Sequence, residues 1–205
     1  MLKSAIIIID MQNEFCLEVS SNEKPRLKNE LVSVVNKINN TVVKFRKNGD
    51  RVIWLNWGIT PKLEGMSPSQ LKVFGNFEYS ESMHLMKKLN KNCKVVEKGS
   101  WSASIVEDLN NLDEDLYITK ERMSGFWFTD LDKVLKELNV DKLYFTGVNT
   151  DQCVMTTLQD AHFIGYETYL IKDCTATSSP QYCFDATIYN VQNCFGSIVE
   201  SKDIK

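Results

Sequence analysis

The sequence predicts an α/β protein in which a parallel sheet is covered on both faces by helices. Three observations carry that prediction. Apolar runs of strand length recur along the chain, most of them followed by apolar residues at helical spacing. The first run, Ala5-Ile6-Ile7-Ile8-Ile9, contains no polar residue, as a strand buried on both faces requires. No internal repeat, low-complexity tract or Pro/Gly linker interrupts the alternation, so residues 1–205 read as a single domain.

Taken in order, the run Ala5 to Ile9 is the first strand. Leu27, Leu31, Val34, Val35, Ile38, Val42 and Phe45 then mark a helix that Gly49 stops. Arg51 to Trp57 is the second strand. The stretch from Gly58 to Ser100 is irregular, with Gly65, Pro68, Gly75 and Gly99 among polar residues, and is expected to be a long functional excursion. Ser102–Leu109 is expected to be a short helix and Asp115–Thr119 a strand. Thr129 to Leu138 reads as a helix with Thr129 as N-cap and Asp132 three residues on. Lys142 to Gly147 is a strand, Asp151 to Ile164 a helix, and Glu167 to Ile171 a strand. Pro180 to Val191 is a helix with Pro in its first turn, and Phe195 to Val199 is the last strand.

Bulk properties narrow the function classes. Hydrophobic and charged fractions of 43% and 25% are ordinary for a globular chain, and the net charge is -3. With no basic stripe, nucleic acid is not expected as a partner. The Ala5–Ile9 run is too short to span a bilayer and lacks a cleavage pattern, so neither membrane nor signal peptide is expected. The six cysteines, at 16, 93, 153, 174, 183 and 194, show no CxxC pair or metal-ligand rhythm. Reduced thiols in a cytoplasmic protein are the expectation, most of them small core residues.

In open parallel sheets, ligands bind beyond the carboxyl ends of the strands. That rule gathers Asp10, Gln12 and Phe15 after the first strand, and Asn56 and Trp57 after the second. Lys120 leads into Arg122-Met123-Ser124-Gly125-Phe126-Trp127 after the third. Gly147-Val148-Asn149-Thr150-Asp151-Gln152-Cys153 follows the fourth strand, and Asp173 with Cys174 the fifth. Cys153 falls at a helix start, where backbone N–H groups and the helix dipole favour a thiolate. Position alone leaves an inert core thiol equally open.

A nucleophilic cysteine needs a base. His162 lies half a revolution round the helix from Cys153, at about 100° per residue, and His84 lies in the excursion. Asp160 is about 10 Å along the helix axis, too far to share a proton. Asp10 and Lys120, from other strand ends, fit better. Taken singly, Asp10 reads rather as a helix-capping or turn residue and Lys120 as a solvated lysine; the convergence of all three on one rim weighs against those readings.

These residues resemble the isochorismatase-like cysteine hydrolases, the family of nicotinamidases, N-carbamoylsarcosine amidase and biuret hydrolase. Ile8-Ile9-Asp10-Met11-Gln12-Asn13-Glu14-Phe15, Lys120 before Arg122-Met123-Ser124-Gly125-Phe126, and Gly147 to Val154 carry the match in order and spacing. The resemblance implies a three-layer α/β/α Rossmann-like fold with a central six-stranded parallel sheet. It implies a catalytic triad of Asp10, Lys120 and Cys153, and a cis peptide at Val148–Asn149. It also implies an oxyanion hole from the backbone N–H groups of Asn149 and Cys153. Homo-oligomers are common among such relatives, and one is expected here.

The stretch Leu55-Asn56-Trp57-Gly58-Ile59-Thr60 lacks the Asp-x-His metal motif of nicotinamidases, so no metal or cofactor is expected and nicotinamidase activity is disfavoured. The cysteine points to amide, ureide or carbamoyl chemistry on a small-molecule substrate, by way of a thioester. Gln12, Phe15, Asn56, Trp57, Trp101, Arg122 and Phe126 are the expected substrate contacts, Trp101 as part of a lid. Trp127 is expected to pack in the core or at a subunit contact, and Asp173 to shape the loop after the fifth strand. The alternative is a non-catalytic interaction protein that retains the scaffold; faster iodoacetamide labelling of Cys153 than of the other cysteines separates the two. A nucleotide-binding protein is disfavoured by the absence of GxGxxG and GxxxxGK[ST].

Overall fold

The computed structural model describes residues 3–18, 24–74 and 94–205. Six strands form one sheet: β1 (Lys3–Ile9), β4 (Arg51–Trp57), β5 (Leu116–Lys120), β6 (Val140–Val148), β7 (Glu167–Ala176) and β8 (Ser197–Val199). Their spatial order is β5-β4-β1-β6-β7-β8, and every pairing is parallel. The chain builds outward from β1 to β4 and β5, then returns to the other side of β1 for β6. This reversal opens a crevice at the carboxyl ends. A separate two-stranded ladder joins β2 (Leu17–Glu18) and β3 (Arg26–Leu27).

Side-chain alternation along β1 explains the three layers. Ile6 and Ile8 enter a core with Leu31, Val34, Val35, Ile38, Val42 and Phe45 of α2 (Asn29–Lys47). Ala5, Ile7 and Ile9 enter the opposite core, with Leu131 and Leu135 of α4 (Leu131–Glu137) and Met155, Leu158 and Ala161 of α5 (Met155–Ile164). Both faces of β1 are therefore dry, which is why its sequence shows no polar alternation. Helices α1 (Asn13–Cys16), α3 (Pro68–Val73) and α6 (Gln181–Asn190) complete the set of α-helices among the described residues.

Several boundaries differ from expectation. Ser102–Leu109 is a run of turns: the Ser102 and Ser104 carbonyls accept from Glu14 N and Asn13 N, so they serve α1 rather than a helix of their own. The third strand starts at Leu116, with Asp115 engaged outside it by Arg46 and Trp54, and ends on Lys120, which pairs with Trp57 of β4. Helix α4 begins at Leu131 with Asp130 at the N-cap; the Thr129 hydroxyl accepts from Leu131 N but donates to Gly125 O. Leu27 belongs to β3 rather than to α2.

Strand β7 runs on to Ala176, so Asp173 and Cys174 lie within it. The Asp173 carboxylate accepts from Ser201 N and Oγ and pairs with Lys37, so it anchors the segment after β8 rather than a loop after its own strand. Cys174 is buried beside Thr41. The excursion holds α3, capped by Ser67 and Gln70. Gly75, His84 and Cys93 lie outside the described residues. The described cysteines are free: Cys16, Cys153 and Cys174 are buried and Cys194 is exposed. No helix among the described residues is long and apolar enough to cross a membrane.

Candidate active site

Four strand ends and one helix start meet at the crevice. At the end of β1 the chain turns sharply, with Asp10 at φ 52° while its N–H still bonds Leu55 O at 3.0 Å. Asp tolerates this left-handed conformation better than most residues, and the turn aims its carboxyl across the sheet end. Strand β6 passes so close to this corner that a Cβ on Gly147 would lie 2.1 Å from Ile9 O. Gly147 also has φ +105°, so glycine is required twice over.

Lys120 ends β5, with β4 between it and β1. Its side chain crosses that gap over the Trp57 ring, the ammonium 4.0 Å from the ring centroid, and reaches Asp10 Oδ2 at 2.8 Å. The same nitrogen lies 3.4 Å from Cys153 Sγ and donates to Arg122 O at 3.2 Å. Lys120 is fully buried and Asp10 is 2% exposed. Trp57 thus bridges the spacing between β5 and β1 and holds the cation by its ring face.

Cys153 sits where the helix after β6 opens as a π-turn (Thr150–Val154) before becoming α5. The amides of Gln152 and Val154 both bond Asn149 O. Burial pushes the Cys153 thiol well above the ordinary thiol range, against the lowering effect of Lys120. Burial thus works against the thiolate that a helix start favours, and Lys120 works for it. Burial also raises Asp10 above the usual carboxylate range, opposed by Lys120 and by the Cys153 thiol facing the same carboxyl. Burial thus raises the proton affinity of both the Cys153 sulfur and the Asp10 carboxyl, and Lys120 lowers both. The Val148–Asn149 peptide is cis, and Asn149 Oδ1 accepts from Ser178 N.

The cleft above this group holds about 420 Å³ of empty space, open solvent at its mouth included. Asp10, Phe15, Trp57, Asn149 and Cys153 line it, as the sequence suggested. Phe74, Val95, Val96, Met123, Val148 and Gln152 line it too, without having been singled out as contacts. Met123 Sδ lies 3.7 Å from Cys153 Sγ. The adjacent apolar pair Val95-Val96, just before Gly99, was the one available signal for that wall.

Five expected contacts lie elsewhere. Gln12 is a buried brace: its amide donates to Trp57 O and Ala103 O, both at 2.7 Å, and accepts from Trp57 N at 2.9 Å. Asn56 faces away from the cleft, as alternation along β4 demands. Trp101 lies outside the lining, and its carbonyl accepts from Asn13 Nδ2. The Arg122 guanidinium sits over the Phe128 ring at 5.0 Å, and Phe126 packs on Tyr166. Trp127 is 58% exposed, not in the core, and its indole donates to Asp160. His162 is exposed and packs edge-on against Phe163 and Phe195.

Comparison with known proteins agrees with this architecture. The family model described as the isochorismatase domain matches residues 4–203. The ureidoacrylate amidohydrolase RutB of Cronobacter sakazakii is 29% identical over 197 residues, covering 95% of this chain and 83% of that protein. RutB of Klebsiella pneumoniae is 29% identical over 208 residues, covering 97% and 85%. Among solved structures, a cysteine hydrolase from Pseudomonas syringae pv. phaseolicola 1448A superposes with a TM-score of 0.82 at 19% identity, over 98% of this chain and 90% of that one. N-carbamoylsarcosine amidase from Thermoplasma acidophilum gives 0.73 at 21%, over 100% and 99%; at such identities these structures speak to the fold alone. With its parallel six-stranded sheet and a sequence matched almost from end to end, the chain belongs to the isochorismatase domain family.

Proposed function

We propose that this protein is a cysteine hydrolase that cleaves a C–N bond of a small amide, ureide or carbamoyl compound. The observation that carries the reading is the contact set at the cleft floor, with Lys120 Nζ 2.8 Å from Asp10 Oδ2 and 3.4 Å from Cys153 Sγ. The amidohydrolase activity named for the RutB relatives is consistent with it.

In the proposed reaction, Asp10 takes the thiol proton and the sulfur attacks the substrate carbonyl carbon. The backbone N–H groups of Asn149 and Cys153 stabilise the oxyanion, each donor being worth about 3 kcal/mol in such sites. Asp10 returns the proton to the leaving nitrogen as the C–N bond breaks, leaving a thioester on Cys153. Asp10 then deprotonates a water that attacks the thioester. Collapse releases the acid, and the thiol regains its proton from Asp10.

The test is ammonia release from a panel of small amides, ureides and carbamoyl compounds, with intact-mass analysis of acid-quenched protein. Cys153→Ala is expected to abolish both turnover and the acyl adduct while leaving the circular dichroism spectrum unchanged. Undiminished turnover in Cys153→Ala would sink the mechanism.

A further inference from the structure

The cleft has two unlike sides. Asp10, Asn149, Gln152 and Cys153 form a polar end; Phe15, Trp57, Phe74, Val95, Val96 and Met123 form an apolar wall. That wall is held in place. Trp57 and Phe74 meet edge to face, their centroids 5.5 Å apart, and Gln12 fixes the Trp57 backbone from below through both its N–H and its carbonyl. Val95 and Val96 are buried.

Among the described residues, Lys120, Arg122 and Lys28 are engaged away from the cleft. Lys120 is fully buried behind the sulfur and engaged with Asp10, Trp57 and Arg122 O. Arg122 turns its guanidinium to Phe128, and Lys28 donates to Phe15 O at 2.7 Å. Among the described residues lining the cleft, none carries a positive charge, and Asp10 contributes a carboxyl. A substrate carboxylate against this wall would lose its hydration without gaining a counter-ion from the described lining residues, which is strongly unfavourable.

Resting on the hydrolase reading above, we propose that the cleft selects a small, uncharged carboxamide with an apolar aliphatic or aromatic body. The amide lies at Asp10, Asn149, Gln152 and Cys153, and the body lies on the Trp57–Phe74–Val95–Val96 wall. Amides that carry a second, anionic group are discriminated against.

Matched pairs test this: benzamide against 4-carbamoylbenzoate, and pentanamide against glutaramate. Each pair shares the reacting carboxamide and differs in the distal carboxylate. Two quantities are read, kcat/KM for ammonia release and protection of Cys153 from iodoacetamide. The uncharged member of each pair is expected to lead by at least about tenfold in both. Phe74→Lys, which places a cation at the wall, is expected to shrink or reverse that ratio. Preference for the carboxylate member, with turnover still dependent on Cys153, overturns the specificity proposal and leaves the hydrolase reading intact. Protection by neither member at the solubility limit, or a ratio that Phe74→Lys does not move, overturns the proposal as well. Loss of the hydrolase reading itself shows differently, as turnover that survives Cys153→Ala.

Discussion

Replacing Lys120 with Met removes the ammonium, and with it the contact to the Trp57 ring face, but keeps an unbranched side chain of similar length. The structure sets the size of the effect. At 2.8 Å from Asp10 Oδ2, the ion pair has a Coulomb energy of about 6 kcal/mol at an effective dielectric of about 20. Breaking one partner of such a buried pair costs about 3–5 kcal/mol, since the other charge is stranded. Asp10, 2% exposed, has an escape: it takes up a proton. From an ordinary carboxyl pKa of about 3.9, protonation at pH 7 costs about 4 kcal/mol, which caps the penalty of the stranded charge.

The sign follows. Burial already raises the folded-state pKa of Asp10, and without the lowering effect of Lys120 it rises further above its unfolded value, so the folded variant binds the extra proton. Stability therefore recovers as pH falls, by up to about 1.4 kcal/mol per pH unit, until the unfolded pKa is approached. Urea unfolding at pH 7 is expected to show a loss of about 3–5 kcal/mol relative to wild type, and at pH 5 a smaller one. Ammonia release at pH 7 is expected to drop by about 10²–10⁴-fold, since a protonated Asp10 is no base. A stability difference that does not change between the two pH values would refute the electrostatic account. Activity within tenfold of wild type would refute the catalytic one.

The remaining predictions concern residues beside the site. Burial pushes the Glu14 carboxyl from an ordinary 4.5 up to about 7, only partly offset by Lys28, and its Oε2 is buried without a hydrogen-bond partner among the described residues. A raised acid favours the protonated fold, so Glu14 destabilises the protein progressively as pH rises from about 4.5 to 7 and fully above that. Glu14→Gln is expected to stabilise by about 1–2 kcal/mol at pH 8, after discounting for solvent screening, and to be neutral at pH 4. Chemical denaturation at both pH values checks this, and an equal effect at each would count against it. Gly147→Ala is expected to cost about 3 kcal/mol or more, because the added Cβ meets backbone at 2.1 Å. Gly49→Ala, at φ +74° with nothing within 4 Å, is expected to cost about 1–2 kcal/mol; comparable thermal shifts for the two would show that the close approach of β6 to Ile9 carries no strain.

The central strands were legible in the sequence because both their faces are dry. Ala5–Ile9 and the core of Arg51–Trp57 pack on two helical layers, so composition alone marks them. The later strands hid their limits for the opposite reason. Lys172 and Asp173 break the apolar run of β7, yet the strand continues, because Asp173 finds its partners in Ser201 and Lys37 at the sheet end. Position at a strand end likewise brought Asp10, Lys120 and Cys153 onto one list. It did not show which neighbours face the cleft. Gln12 and Asn56 look as eligible as Phe15 and Trp57 in the sequence. Their separation depends on which way the chain leaves β1 and on the alternation along β4, which only the folded backbone fixes.

Burial raises a question for the proposed chemistry, since a low-dielectric site opposes the creation of charge. The contact set answers it. Before proton transfer the ammonium of Lys120 faces a carboxylate at 2.8 Å; afterwards it faces a thiolate at 3.4 Å. The negative charge moves from one side of a fixed cation to the other, and the net charge of the three groups does not change. The apolar surroundings therefore penalise both states to a similar degree, while raising the basicity of Asp10 and of the thiolate together. A histidine base in the same place would be neutral at rest and charged after transfer, so that charge would be separated in a dry site. In the proposed reaction, Lys120 would be the residue that makes a carboxylate, rather than an imidazole, a workable partner for Cys153.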